Sequence, residues 1–242
     1  MFDIGANLTS SHFSKDLDVV LNDSLKAGVE KICVTSSNLD DVKNAKKITE
    51  KYKNLYYSVG FHPHNAKDFK IEFLKDMSVY LNDPKAICLG EMGLDFNRNF
   101  SSKEEQILCF ESQLSLANSI SKPLFLHQRD AHEEFLSVLD NHKFNQKLIV
   151  HCFTGNLSEL EDYLKRDFYI GITGWVCDLK RGKELRKCIN QIPEDKLLIE
   201  TDSPYLAPTP VRGSINEPKN CIHTAQFLSK LRNINFLELS ET

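Results

Sequence analysis

The sequence lacks a long hydrophobic run and any excess of positive charge. No apolar stretch approaches the roughly 18 residues that a membrane-spanning helix needs. The opening MFDIGANLTS has no basic segment followed by an apolar one, so we expect neither a membrane partner nor a secretory signal. The formal net charge is −4. Contacts with nucleic acid would therefore have to come from a local patch or a bound metal rather than from the overall charge.

A glycine-rich phosphate motif and a disulfide framework are also missing. No G-x-G-x-x-G follows the first apolar run, which argues against a dinucleotide-binding sheet. The seven cysteines are an odd number, and Cys33, Cys88 and Cys152 lie within apolar runs. This usage is typical of reduced, buried thiols, so we expect a cytoplasmic protein.

What the chain does contain is a repeated alternation of short apolar runs with amphipathic stretches. The runs of strand length cover residues 1–4, 31–35, 56–60, 86–90, 123–126, 148–150, 169–172 and 196–199. Such alternation predicts parallel strands with right-handed crossovers. Eight units in 242 residues indicate an α/β fold, a (β/α)8 TIM-type barrel forming a single domain over residues 1–242. An open doubly wound sheet is the second choice.

Two of the amphipathic stretches illustrate the predicted helices. The segment FESQLSLANSISK places Phe110, Leu114 and Ala117 on one helical face, which is the spacing of a core-facing helix. The segment SELEDYLKR opens with Ser158, a residue type that caps helix N-termini.

Polar side chains, most of them ionisable, follow the apolar runs at several strand ends. Barrel enzymes place their chemistry at the C-terminal ends of the strands. The residues found there are Asn7, His62, His64, Glu91, His127, His151 and Asp202. Because side chains alternate faces along a strand, Glu91 shares the face of Leu89, and His127 shares that of Phe125. The sequence therefore predicts that these groups meet at one mouth of the barrel.

A divalent cation explains why a glutamate would end a buried strand. A carboxylate buried alone costs on the order of several kcal/mol, and a cation removes that cost. Glu91, His127, His151 and Asp202 form a mixed oxygen and imidazole set, which suits Mg²⁺, Mn²⁺ or Zn²⁺. Taken singly, each histidine has an ordinary packing explanation, and Glu91 could pair with Arg129. Asp95 and Arg129 follow the strand ends, where they could orient ligands, contact substrate or form a salt bridge.

Seven motifs in order carry a family resemblance. They are MFDIGANL, GFHPH, GEMGLDFNRNFS, LFLHQRDAHEEF, HCFTG, YIGITGWVC and LLIETDSPYLAP. Together they make the chain resemble the TatD family of metal-dependent deoxyribonucleases, within the amidohydrolase-like superfamily, and the subgroup that opens FDIGxNLT. The resemblance covers almost the whole chain. It implies a TIM-type barrel and an ester hydrolase of the EC 3.1 class.

The resemblance also implies a substrate and a cofactor. It predicts a 3′ to 5′ exonuclease on single-stranded DNA or DNA 3′ ends, with RNA as a further substrate and DNA repair as a possible setting. The cofactor would be a divalent metal, first Mg²⁺, with Mn²⁺ or Zn²⁺ as alternatives. We expect a monomer.

Site residues carry over position by position. Glu91, His127 and His151 match metal ligands, and Asp202 matches the aspartate at the metal and the attacking water, where it would act as general base. His62 and His64 match the pair near the substrate phosphate. Asp202, Glu91 and His62 are the implied catalytic residues; His62, His64, Arg129 and Asn7 are the implied substrate contacts.

Two positions depart from the family pattern. Many members open with an H-x-H pair that binds a second metal, whereas Gly5 and Asn7 stand here, with Asp3 retained before them. This departure puts a tightly bound two-metal centre in doubt. The chain also ends at FLELSET, where relatives continue into a final helix, so we expect a short or truncated C-terminal helix.

Two other functions remain open at this point. The same fold and metal chemistry could hydrolyse an amide or ester, including trans-editing deacylation of misacylated tRNA. No strand-end lysine is present that could be carbamylated to bridge two metals, which lowers the cyclic-amide option. A non-catalytic nucleic-acid-binding or scaffold protein is the second alternative, and only the missing histidine pair supports it.

Overall fold

Within the part of the chain that the structure describes, residues 1–236 and residue 239, eight β-strands alternate with eight α-helices in a computed structural model. The strands are β1 (Phe2–Ala6), β2 (Lys31–Val34), β3 (Leu55–Val59), β4 (Ala86–Asp95), β5 (Leu124–Arg129), β6 (Leu148–Val150), β7 (Tyr169–Ile172) and β8 (Leu197–Ile199). The helices are α1 (Leu17–Lys26), α2 (Leu39–Lys51), α3 (Phe73–Leu81), α4 (Lys103–Leu114), α5 (His132–Asp140), α6 (Leu157–Lys165), α7 (Lys183–Cys188) and α8 (Cys221–Arg232).

The strand order gives the fold class. The eight described strands form one sheet in the order β1 to β8, and β1–β2, β3–β4, β4–β5, β5–β6 and β7–β8 are parallel pairs. Sequential parallel strands joined through helices are the topology of the (β/α)8 barrel, which confirms the prediction. The open doubly wound sheet is excluded, because its strand order reverses at a switch point.

The chain divides into two compact units, the first formed by Met1–Val34 with Cys152–Thr242 and the second by Thr35–His151. In the first unit, β1 pairs with β2 and β7 pairs with β8. An isolated parallel bridge joins Ala6 to Ser203 in the segment after β8. The single domain over residues 1–242 stays a prediction.

The second unit contains β3 to β6 and shows where the predicted strand ends were wrong. Gly90 pairs with Phe125 while Met92 pairs with Leu126, so Glu91 is an extra residue in β4. Such a bulge bends the strand and re-aims its side chains. Beyond it β4 continues to Asp95 and β5 continues to Arg129. Glu91 and His127 therefore lie inside strands, and Asp95 is the last residue of its strand rather than a residue beyond it.

Helix α4 also differs from its predicted position. It begins at Lys103, before the FESQ segment, and ends at Leu114, after which Ala117–Ser119 forms only a 3-10 turn. A capping box at Ser102 and Glu105 fixes the start, since each side chain bonds the backbone N–H of the other residue. The same device at Asn156 and Glu159 begins α6, so the cap is Asn156 and not Ser158.

Other predictions fall partly within the described residues. All seven cysteines are free thiols, and only Cys152 is not fully buried, as their positions predicted. Among the described residues no helix has the length and apolarity to cross a bilayer. The prediction of a short C-terminal helix concerns residues 237, 238 and 240–242, which lie outside the described residues.

Gly93 occupies a backbone position that a side chain cannot share. Its φ is +145°, and a Cβ there would lie 2.0 Å from the carbonyl oxygen of His127 in β5. Gly93→Ala is therefore expected to lower the free energy of unfolding by about 2–5 kcal/mol, the sum of backbone strain and overpacking. Urea denaturation followed by circular dichroism measures this loss.

Gly213→Ala is the matched control. Gly213 also has a positive φ, +91°, but an added Cβ would meet nothing within 4 Å. It should cost only the backbone strain, about 1–2 kcal/mol. Equal losses in the two variants would show that close packing of β4 on β5 does not hold this part of the fold.

Candidate metal centre

Glu91 is a buried carboxylate surrounded by imidazoles in the second unit. Its side chain belongs to the bulge in β4, and the residue is 4% exposed. Its Oε1 lies 2.7 Å from His151 Nε2, 3.0 Å from His62 Nε2 and 3.0 Å from His127 Nδ1. Three of the predicted site histidines therefore converge on one carboxylate oxygen.

His62 is held at its backbone and at one nitrogen of its ring. Its backbone N–H donates to Ser37 O at 3.1 Å, and the backbone N–H of His64 donates to His62 Nδ1 at 3.0 Å. This second bond leaves Nε2 to face Glu91. The preceding residue, Phe61, is fixed by Gln113 of α4, whose amide accepts from its N–H and donates to its carbonyl.

His127 and His151 complete the group. His127 is paired with Gly93 in the sheet, and His151 directly follows β6, where its N–H donates to Leu126 O at 2.9 Å. His127 Nδ1 lies 3.0 Å from His151 Nε2 and 3.3 Å from His62 Nε2. The imidazole nitrogens are thus about as close to one another as they are to the carboxylate.

Asp95 connects this group to His64. Its Oδ2 lies 2.7 Å from His64 Nε2 and 3.4 Å from His127 Nε2. Its Oδ1 accepts the backbone N–H groups of Asn97 and Arg98, each at 2.9 Å. The carboxylate is therefore fixed from its own loop while it faces two histidines.

The pKa shifts of these side chains favour an ionised Glu91 surrounded by imidazoles. Burial would raise the pKa of Glu91, but the contacts with His151 and His62 hold it well below its ordinary value. Burial lowers the pKa of His62 to about 4, so this ring is neutral near pH 7. Burial would lower the pKa of His127, yet hydrogen bonds to Asp95 and Glu91 raise it.

The donor set fits a divalent cation. Ligand atoms of His62, Glu91 and His127 all lie within 4.8 Å of one another. A bound cation would replace the protons that these groups share, and metal binding is in general a competition with protons. Carboxylate and imidazole together suit Zn²⁺ and Mn²⁺ and are compatible with Mg²⁺. His62, predicted as a phosphate contact, thus lies within the group of possible ligands.

Asp95→Asn tests whether this carboxylate orients the histidines. The amide lacks the charge that holds His64 Nε2 at 2.7 Å and attracts His127 Nε2 at 3.4 Å, so both imidazoles lose the carboxylate that orients them. Loss of a residue that hydrogen-bonds to a metal ligand typically lowers metal affinity by about 10–100-fold. We expect the metal concentration for half-maximal binding, measured by calorimetry, to rise by that factor. Asp130→Asn, on an exposed neighbouring residue, should bind metal as the wild type does; an unchanged Asp95→Asn would contradict the orienting role.

Asp202 and Asn7 belong to the first unit. Asp202 lies beyond the end of β8, with a φ of +53°, so strand alternation does not extend to it. Its N–H donates to Gly5 O at 2.8 Å, and its Oδ1 accepts from Asn7 Nδ2 at 3.0 Å. The preceding Thr201 is anchored by buried Asp3, which accepts its N–H and its hydroxyl. The role of Asp202 as a ligand stays a prediction, as does substrate contact by half-buried Arg129.

Sequence reasoning missed two glutamines that position the site. Gln106 and Gln113 project from the buried face of α4. Gln106 accepts the N–H of Asp95 at 2.8 Å and donates to its carbonyl at 3.0 Å, as Gln113 does for Phe61. Both share the helical spacing of Phe110. An amide on an apolar face was the signal that could have identified them.

The (β/α)8 fold and a buried carboxylate contacted by three histidines define a barrel protein with a candidate metal centre of the kind that hydrolases use. Comparison with known proteins narrows this class. The family described as TatD related DNase matches residues 2–242. The chain belongs to the TatD family.

Individual relatives agree with this assignment. A protein of Citrobacter koseri named 3′-5′ ssDNA/RNA exonuclease TatD is 44% identical over 230 residues, covering 92% of this chain and 88% of the relative. A protein of the same name from Escherichia coli K12 is 43% identical over 239 residues, covering 96% and 91%. These relatives support assignment of the chain as a nuclease, a hydrolase acting on ester bonds.

Solved structures agree with the fold. A TatD family hydrolase from Entamoeba histolytica superposes with a TM-score of 0.90 at 29% identity, covering 100% of this chain and 94% of the other. YJJV, a TatD homologue of Escherichia coli K12, superposes with a TM-score of 0.92 at 26% identity, covering 100% and 93%.

Proposed function

We propose that this protein is a metal-dependent nuclease that removes nucleotides from the 3′ end of single-stranded DNA and of RNA. The observation that carries the proposal is the convergence of three imidazoles on buried Glu91 in a chain 43% identical to an exonuclease of Escherichia coli over 239 residues. The acyl-hydrolase alternative has no comparable support among the relatives. Cytoplasmic location, a monomeric state and a role in DNA repair stay predictions.

The metal is proposed to be held by Glu91, His127 and His151, with His62 beside them and Asp202 contributing as the resemblance implies. A bound divalent cation supplies a Lewis acid for a phosphoryl oxygen and lowers the pKa of a bound water. Mg²⁺ is the cofactor that the resemblance implies first, and Mn²⁺ and Zn²⁺ are the alternatives that the imidazole ligands favour.

Side chains of the protein would accept the proton of the attacking water and stabilise the charge that develops on the phosphate. Asp202 accepts the proton of the attacking water as general base, and the amide of Asn7 keeps that carboxylate oriented. His62 takes part as a neutral imidazole, because burial lowers its pKa to about 4. His64, oriented by Asp95, and Arg129 contact the phosphate and stabilise the charge that develops on it.

Digestion of labelled single strands tests the proposal. The protein is treated with chelator and then given Mg²⁺, Mn²⁺ or Zn²⁺, with DNA and RNA of the same sequence. A 5′-labelled strand should shorten stepwise, while a 3′-labelled strand should release its label at once as a mononucleotide. Internal cuts would contradict an exonuclease, and release from the 5′ end would contradict the polarity. Cleavage of an aminoacyl ester without any cleavage of DNA or RNA would favour the acyl-hydrolase alternative.

A further inference from the structure

Phe100 is an aromatic side chain left open to solvent beside the candidate metal centre. It lies in the loop between β4 and α4, and it is 57% exposed. The same loop presents Arg98 and, at the start of α4, Lys103, both exposed. An exposed aromatic ring between cationic side chains is the combination that proteins use to hold single-stranded nucleic acid.

The backbone on either side of Phe100 is firmly anchored. Ser101 is buried, and its hydroxyl donates to His64 O at 3.1 Å and accepts the N–H of Lys67 at 3.0 Å. Gln106 donates to Ser101 O at 3.0 Å. On the other side, the amide of Asn99 donates to Phe96 O at 2.8 Å. The exposed ring thus stands on a backbone that is already ordered, which reduces the entropy lost on binding.

The ring of Phe100 also touches the site directly. Its centroid lies 4.9 Å from that of His64, with the two planes at 85°. His64 in turn bonds Asp95, which faces His127. A strand whose phosphate lies at His64 would therefore bring an adjacent base next to Phe100.

We propose that Phe100 stacks on one base near the 3′ end of the bound strand and so sets affinity for polynucleotide over free nucleotide. This inference rests on the proposed function, and it identifies how the site recognises a strand without reading its sequence. Every base offers a π-face, so stacking tolerates any sequence. Arg98 and Lys103 are exposed on the same loop and at the start of α4, so they add positive charge to this part of the surface, where a phosphate backbone would bind.

Binding measurements separate this inference from cleavage. The probe is a fluorescent single-stranded oligonucleotide whose 3′-terminal linkages are phosphorothioates that resist hydrolysis, used with metal-loaded protein. Phe100→Ala should raise the Kd by about tenfold, the effect expected for one stacked base. Phe100→Leu should behave like alanine, because it lacks a π-face, and Phe100→Trp should restore binding. Leu108→Ala, on an apolar residue of α4 that is 64% exposed, should bind as the wild type does.

Abasic oligonucleotides identify the base concerned. One base is removed in turn at each of the three 3′-terminal positions, and the Kd is measured for wild type and Phe100→Ala. At one position, removal of the base should raise the Kd of the wild type about tenfold and leave the Kd of Phe100→Ala unchanged. A Kd of Phe100→Ala within twofold of the wild-type value would overturn the inference. So would a result in which base removal raises the Kd of Phe100→Ala as much as that of the wild type at every position. Digestion of ordinary strands is followed in parallel, so that loss of cleavage with intact stacking counts against the proposed nuclease alone.

Discussion

Glu91→Gln is expected to lower the turnover of single-stranded DNA by at least about a thousandfold, the size of the several kcal/mol that a bound cation contributes to the transition state. The amide has the shape of the carboxylate but not its charge. Oε1 of Glu91 is the atom on which His62, His127 and His151 converge. A neutral group there cannot offset a cation, and its N–H₂ would face imidazole nitrogens. Rates on a labelled oligonucleotide at saturating metal measure the loss.

The control for this substitution is Glu104→Gln, which removes the same charge from the exposed first turn of α4. It should keep wild-type turnover. Thermal melting establishes that Glu91→Gln remains folded, since a folded and inactive variant is the informative one. Turnover within tenfold of wild type in folded Glu91→Gln would mean that this carboxylate does not hold the catalytic cation.

Asp202→Asn is expected to lower kcat by about 10²–10⁴-fold, the contribution of a general base. The substitution keeps the hydrogen bond from Asn7, because an asparagine oxygen can accept from the Asn7 amide as Oδ1 does at 3.0 Å. The backbone bond from residue 202 to Gly5 O is also retained. The loop should therefore keep its shape while losing its proton acceptor. Single-turnover rates measure this effect apart from substrate binding.

The matched control is Asp195→Asn, which removes a carboxylate from an exposed position before β8. The binding of phosphorothioate DNA should be nearly unchanged in Asp202→Asn. A kcat within threefold of wild type would remove Asp202 from the proton transfer. Loss of DNA binding with an unchanged rate at saturation would assign it to substrate contact instead.

The sequence alone predicted the eight strands and the convergence of Glu91, His127 and His151, and the physical reason is simple. In a parallel barrel the carboxyl ends of all strands lie at one end, so a histidine that follows one apolar run must approach those that follow the others. His127 and His151 follow runs from adjacent strands, β5 and β6. Their contact at 3.0 Å is the direct result.

The parts that the sequence did not reveal depend on irregular backbone and on tertiary contacts. The bulge at Glu91 carries β4 past its predicted end to Asp95, and no local pattern marks it. Asp202 lies beyond the end of β8 with a positive φ, so the alternation of side chains along a strand does not set its direction. The two hydrogen bonds between Gln106 and the backbone of Asp95 join a helix to a strand. They depend on the packing of α4 against β4, which the local sequence pattern does not predict. His62 joins the group of possible ligands because a local bond from the backbone N–H of His64 to its Nδ1 leaves Nε2 facing Glu91.

The most direct test of a cation at Glu91 is anomalous diffraction from crystals soaked in manganese. We expect one strong anomalous peak at about 2 Å from a Glu91 carboxylate oxygen and from imidazole nitrogens of His127 and His151. The same soak of Glu91→Gln crystals should lose the peak. Absence of a peak in wild-type crystals whose other surface sites bind manganese, with Glu91 still bonded only to histidines, would contradict a metal centre at this position.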